Sequence, residues 1–209
     1  MRIRELLSSI AAVVLLVLGL SGTASASAGQ PDTDTAMRVA ASVTGEGVPE
    51  PPPPPTMRDG TRLQGSWIGP YTYRNLNSGK CLDILNGSKD NGAPAVQYRC
   101  VAGMAGQMWY LWHTEGDGSI DFHLLGNAYT GKCLMAWSHD LMAPIKQISC
   151  YQFTPEQVWI TRSTDPNVHQ NDGTNLCMEV LGGALDDFAS IVQWDCHHQA
   201  HQIWLRYNA

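Results

Sequence analysis

Gln-x-Trp occurs three times in this chain at nearly regular distances, at Gln107–Trp109, Gln157–Trp159 and Gln202–Trp204. Upstream of each stands a short apolar run that contains Gln and ends in a cysteine eight or nine residues before the tryptophan. These runs are Val96-Gln97-Tyr98-Arg99-Cys100, Ile145-Lys146-Gln147-Ile148-Ser149-Cys150 and Val192-Gln193-Trp194-Asp195-Cys196. Earlier still in each unit is another cysteine phrase: Lys80-Cys81-Leu82-Asp83, Lys132-Cys133-Leu134-Met135 and Leu176-Cys177-Met178-Glu179. The two cysteines of a unit lie 19, 17 and 19 residues apart. Three coordinated features in the same order, three times, mark a genuine internal repeat, and a repeat of this length constrains the fold more than any local propensity does.

Each unit reads as β structure. Short runs of Val, Ile, Tyr and Trp alternate with turn clusters such as Leu76-Asn77-Ser78-Gly79 and Asp90-Asn91-Gly92. Within Gln-x-Trp the Gln and Trp are two residues apart, so both leave the same face of a strand. A single unit cannot bury that face alone. Three units closing around an axis can, with Trp109, Trp159 and Trp204 meeting in a common core. The expected fold is all-β, a β-trefoil with three pseudo-symmetric repeats.

The triplicated Gln-x-Trp, with its paired cysteine phrases, resembles the ricin-B lectin family, also described as carbohydrate-binding module family 13. The resemblance covers Trp67 through Ala209. Six cysteines allow 15 connectivities. The repeat symmetry selects Cys81–Cys100, Cys133–Cys150 and Cys177–Cys196, each closing a short loop worth about 3 kcal/mol on the chain-entropy model.

A sugar presents paired hydroxyls and an apolar C–H face, so its site needs a carboxylate, an aromatic ring and further hydrogen-bonding groups. The resemblance implies where these lie: an acid two residues after the first cysteine and a ring two before the second. It also implies a polar residue just before the Gln of Gln-x-Trp, with that Gln orienting the acid. The first repeat then supplies Asp83, Tyr98 and Gln107, with Gly106 where the family carries Asn or His. The third supplies Glu179, Trp194, His201 and Gln202, with Glu in place of the usual Asp. The middle repeat has Met135, Ile148 and Glu156 at these places and is expected to be a scaffold without a sugar site. The three tryptophans read as core residues, and the three glutamines also suit buried backbone groups.

The beginning of the chain bears on destination. Arg2 and Arg4 precede the apolar run Ile10 to Leu20 and small residues offering Ala24-Ser25-Ala26 and Ala26-Ser27-Ala28 as cleavage sites. This is the layout of a secretory signal peptide over residues 1–28. Residues 29–64, with Pro49 and the run Pro51 to Pro55, are expected to be a disordered, polyproline-rich linker, leaving 65–209 as the trefoil. An oxidising destination suits the disulfides. Beyond residue 28 the chain carries 11 basic and 18 acidic residues with no basic stripe, which argues against nucleic acid.

Other chemistry is weakly represented. Cys196, His197, His198 and His201 invite a zinc reading, but Cys196 is committed to its disulfide and the spacing fits no common zinc finger, so no metal and no cofactor are expected. The acid pairs Glu115/Asp117 and Asp186-Asp187 fall in Gly-rich turns, and no nucleophile motif is present. The expected function is a secreted, non-catalytic carbohydrate-binding module with weak sites in the first and third repeats. The alternative is a trefoil that has lost sugar binding and meets a protein partner through the middle repeat, where Met135, Trp137, Leu141 and Met142 cluster.

Overall fold

The computed structural model describes residues 48–62, 64–151 and 154–209, so the expected signal peptide and the first part of the linker lie outside the described residues. Twelve strands run through the described residues: β1 Ile68–Asn75, β2 Cys81–Ile84, β3 Ala95–Tyr98, β4 Trp109–Gly116, β5 Ile120–Asn127, β6 Cys133–Ala136, β7 Ile145–Ile148, β8 Trp159–Arg162, β9 Asp165–Asn171, β10 Cys177–Val180, β11 Ile191–Trp194 and β12 Trp204–Asn208. Six of them form the ladder β9-β8-β5-β4-β1-β12. The other six are the hairpins β2–β3, β6–β7 and β10–β11. Each hairpin joins the ladder at its first cysteine, through Arg74↔Cys81, Gly126↔Cys133 and Gln170↔Cys177. Isolated bridges Val96↔Ser190, Pro94↔Lys146 and Pro144↔Val192 link hairpin to hairpin.

Three equivalent sets of side chains fill the centre. Leu82, Ile84, Leu134, Ile145, Met178, Val180 and Ile191 pack with Trp109, Trp159 and Trp204, all three tryptophans fully buried. The indole N–H groups donate to Leu82 O (3.1 Å), Leu134 O (3.4 Å) and Met178 O (3.2 Å). Each indole's polar edge is thereby satisfied, as burial demands. The disulfides pair as the repeat symmetry requires: Cys81–Cys100, Cys133–Cys150 and Cys177–Cys196.

Two further threefold sets tie the repeats together. Asn75, Asn127 and Asn171 are completely buried, and each stands six residues before its repeat's first cysteine. Their side-chain amides donate to His201 O (3.0 Å), Gly106 O (2.7 Å) and Glu156 O (2.9 Å), always in the neighbouring repeat. The glutamines at the centre of the hairpin strands do the same in another place. Gln97 Nε2 donates to Ala184 O and Asp186 O, Gln147 Nε2 to Ser88 O and Asp90 O, and Gln193 Nε2 to Ser138 O and Asp140 O. Their side-chain oxygens accept from Ser78, Thr130 and Thr174 of their own repeats.

The proline-rich segment departs from expectation where it is described. A solvated linker was expected over 29–64, yet Pro52 and Pro55 are buried. The Trp67 indole donates to Pro53 O (3.4 Å), the Tyr110 hydroxyl donates to Pro49 O, and Thr56 N–H donates to Cys150 O (3.2 Å). Gly126 makes the approach possible: a Cβ there would stand 2.7 Å from the Trp67 ring and 2.9 Å from Pro52. A polyproline strand has little conformational freedom left to lose, so modest apolar contact suffices to dock it.

Candidate functional site

Register places the acid and the ring together. In the first hairpin Cys81 pairs with Tyr98 and Asp83 with Val96, so Asp83 and Tyr98 share a face on the diagonal. In the third, Cys177↔Trp194 and Glu179↔Val192 do the same for Glu179 and Trp194. In the second, the diagonal holds Met135 and Ile148, an apolar pair with nothing to accept from a sugar.

Gln107, Gln157 and Gln202 occupy equivalent buried positions and fasten the loop after the second cysteine. Their oxygens accept from Val101, Tyr151 and His197 N–H, and their amides donate to Arg99 O, Ser149 O and Asp195 O. In the first and third repeats the amide also reaches the acid, at Asp83 Oδ2 (3.0 Å) and Glu179 Oε2 (2.8 Å). These glutamines thus bond backbone groups in all three repeats and a carboxylate in two.

The first repeat is closed. Tyr98, expected to offer a ring to a sugar, is 3% exposed. Phe188, from the third repeat's hairpin loop, covers it at 4.9 Å between ring centroids, and Met104 completes the cluster. The Arg99 Nε–H donates to the Tyr98 hydroxyl (2.9 Å). Asp83 is 1% exposed, and burial pushes its carboxyl up to about 6, opposed by the bonds from Gln107 and Ile84 N–H. Gly106 lies against it, since a Cβ there would stand 3.1 Å from Asp83 Oδ1. The missing polar residue is thus matched by a lack of room.

The third repeat is more open and more polar. Trp194 and His201 are half-buried. Glu179 Oε2 meets His197 Nε2 at 3.0 Å as well as the Gln202 amide, while Oε1 stands 3.7 Å from His201 Nε2. The two imidazoles lie edge to face, 5.0 Å between centroids. His198 points elsewhere, to Asp165. His197 was set aside from the sequence because the cluster around Cys196 fits no metal spacing. What spacing could not show is that the acid of β10 comes to meet it. The neighbouring repeat also contributes: Met142 N–H donates to Gln193 O (3.0 Å), which seats the loop carrying Leu141 and Met142 beside Trp194. Leu141, Met142 and Trp137 are exposed.

Among known proteins, the family of the ricin-type β-trefoil lectin domain matches residues 70–204. The chain belongs to this family. The lectin domain resembles a designed threefold-symmetric protein, ThreeFoil, at 26% identity over 68% of this chain and 100% of that one, with a TM-score of 0.61. It also resembles part of an exo-β-1,3-galactanase from Clostridium thermocellum, at 24% identity over 71% of this chain and 32% of that one, TM-score 0.61. The C-half of an earthworm R-type lectin, solved with GalNAc, shares the fold at 16% identity over 67% and 99%, TM-score 0.52. No curated protein sequence matches the chain significantly.

Proposed function

We propose that this lectin domain is a secreted, non-catalytic carbohydrate-binding module whose working site is in the third repeat. The observation that carries the reading is the contrast between equivalent positions. Glu179, Trp194, His201 and Gln202 stand together with the ring and imidazole half-exposed, whereas Asp83 and Tyr98 are sealed under Phe188. Glu179 accepts sugar hydroxyls, Trp194 takes the apolar face, His201 adds a hydrogen bond, and Gln202 holds the carboxylate in place. The first-repeat residues Asp83, Tyr98 and Gln107 form a second site only when the Phe188 loop lifts. Stacking and one charge-assisted bond each contribute on the order of 1 kcal/mol, so a single site binds in about the millimolar range. Three disulfides and the signal-peptide layout support an extracellular destination.

The test is a glycan array with the mature chain, followed by titration. Galactose and GalNAc are the first probes, since relatives act on or bind such sugars. Trp194→Ala should remove most binding and leave the melting temperature nearly unchanged. No binding across a broad panel, or wild-type binding by Trp194→Ala, refutes the reading. The exposed Trp137, Leu141 and Met142 favour a second reading, a protein partner on this side of the middle repeat. It predicts that Trp137→Ser abolishes partner capture while Trp194→Ala does not.

A further inference from the structure

We propose that Glu179, His197 and His201 form a binding site for a zinc-class divalent metal, and that metal and sugar exclude one another there. The competition clause rests on the sugar reading above; the metal clause does not. One ligand atom from each residue lies within 4.8 Å of the others. The edges measured through the carboxylate are 3.0 Å to His197 and 3.7 Å to His201. A tetrahedral zinc with bonds of about 2.0–2.1 Å has ligand–ligand edges of roughly 3.3 Å, so modest side-chain rotation closes the site. Two imidazoles and a carboxylate suit zinc and its neighbours in the transition series, whereas calcium and magnesium take all-oxygen shells. Three protein ligands leave a fourth position for water.

The ligands are held before any metal arrives. Glu179 sits on a strand and is 4% exposed, with the Gln202 amide on Oε2 at 2.8 Å as an outer partner that fixes its orientation. His197 follows the disulfide cysteine Cys196 directly, and its N–H is bound by Gln202 Oε1 at 3.0 Å. The backbone of His201 is pinned through its carbonyl by Asn75 at 3.0 Å. Metal at His197 Nε2 moves that nitrogen's proton to Nδ1, which gives up the bond from Gln199 N–H at 3.2 Å. Gln199 is exposed, so water replaces the lost partner.

The other repeats supply an internal control. The positions of Glu179, His197 and His201 correspond to Asp83, Val101 and Gly106 in the first repeat, and to Met135, Tyr151 and Glu156 in the second. Neither set contains an imidazole, so the trefoil scaffold by itself does not hold a metal. Glu179 is the shared group. A metal on its oxygens occupies the acceptors that sugar hydroxyls need.

The experiment is calorimetric titration of zinc chloride into the untagged mature chain in chelator-treated buffer near neutral pH. The expected result is one-to-one binding reversed by EDTA, with no comparable binding of calcium or magnesium. His197→Gln and Glu179→Gln should each weaken zinc by about tenfold or more. His198→Gln should leave it unchanged, and near-ultraviolet circular dichroism checks that each variant is folded. Absence of zinc binding, equal binding of calcium, or unaltered zinc affinity in His197→Gln and Glu179→Gln overturns the site. Saturating zinc should then lower affinity for an array-identified sugar about tenfold or more, and EDTA should restore it. Sugar binding unaffected by zinc overturns the competition. Failure of every sugar to bind sinks the lectin reading, while the zinc titration still decides the metal site.

Discussion

Replacing His169 by Leu should remove its share of an acid sensitivity that it and the equally buried His123 build into the barrel. His169 lies on β9 two residues before Asn171, the position held by Tyr73 and Leu125 in the other repeats, so leucine already fits the scaffold there once. The imidazole is 2% exposed, and neither ring nitrogen meets a hydrogen-bonding partner among the described residues. Burial, aided by the charge of Arg206, pushes its pKa down from 6.5 to about 3. Since the folded value is depressed, the neutral ring costs nothing extra above pH 6.5. As pH falls below that, the unfolded chain takes up a proton that the folded chain refuses until about pH 3, and stability drains away across this window. At pH 4.5 the two-unit gap from 6.5 amounts to about 2.7 kcal/mol. For a domain of this size that is roughly 5–11 °C in melting temperature. Asp83 works in the opposite direction, because its raised carboxyl takes a proton on folding between about pH 6 and 3.8. The wild-type profile is therefore a partial cancellation, and only the difference between variant and wild type isolates His169. Denaturant unfolding with disulfides intact, at pH 7.5 and 4.5, measures it. At pH 7.5 His169→Leu should equal or exceed wild type, because two unpaired buried nitrogens are replaced by apolar surface. At pH 4.5 its advantage should grow by about 3 kcal/mol. Parallel pH profiles for the two proteins would refute the argument.

Asp83→Asn loses one acceptor for the bonds from Gln107 and Ile84 at every pH, but relative to wild type it should gain up to about 3 kcal/mol between pH 4 and pH 8, where only the wild type must hold a buried carboxylate charged; a constant difference across pH in denaturant melts would contradict a raised carboxyl. Removing residues up to 62 should lower the melting temperature of the mature chain, because it uncovers Trp67 and strips Tyr110 of its partner at Pro49, a loss of about 1–3 kcal/mol; an unchanged melt would mean the proline segment does not dock. Phe188→Gly should uncover Tyr98 and ease a backbone at φ 67°, so a second, weaker event should appear in sugar titrations; a single event as in wild type would show that Asp83 cannot serve a sugar even when open.

What the sequence made legible was whatever a repeat shares with itself. Gln-x-Trp, the hairpins and the disulfides follow from comparing three copies, and the structure has them where that comparison puts them. The buried Asn75, Asn127 and Asn171 were visible in the same way, at a constant six residues before a cysteine, but a lone Asn ahead of a turn looks like ordinary turn chemistry. The difficult cases are those where repeats meet. Tyr98 has the right position for a sugar platform, and only the fold reveals that Phe188, 90 residues later, lies on it. Leu141 and Met142 look like a separate patch of the middle repeat until the bond from Met142 to Gln193 places them beside Trp194. His197 drops out of any spacing test because its partner Glu179 belongs to another strand. No periodicity reports the buried imidazoles of His123 and His169, since polar residues in barrel strands read as solvent-facing.

The asparagine and glutamine links run the same way around the molecule: each repeat grips the one before it, and the first grips the third. Strand pairing also runs across the joint between the third and first repeats, with β12 lying along β1 from Tyr71↔Asn208 to Asn75↔Trp204. A ring of equal links has no privileged opening. The present chain enters and leaves between the third and first repeats, but nothing in the bonding distinguishes that joint from the other two. Joining the two ends of the trefoil and cutting at the exposed turn around Gly118 instead should return the same object, with the same three disulfides and the same third-repeat site, read from a different starting point.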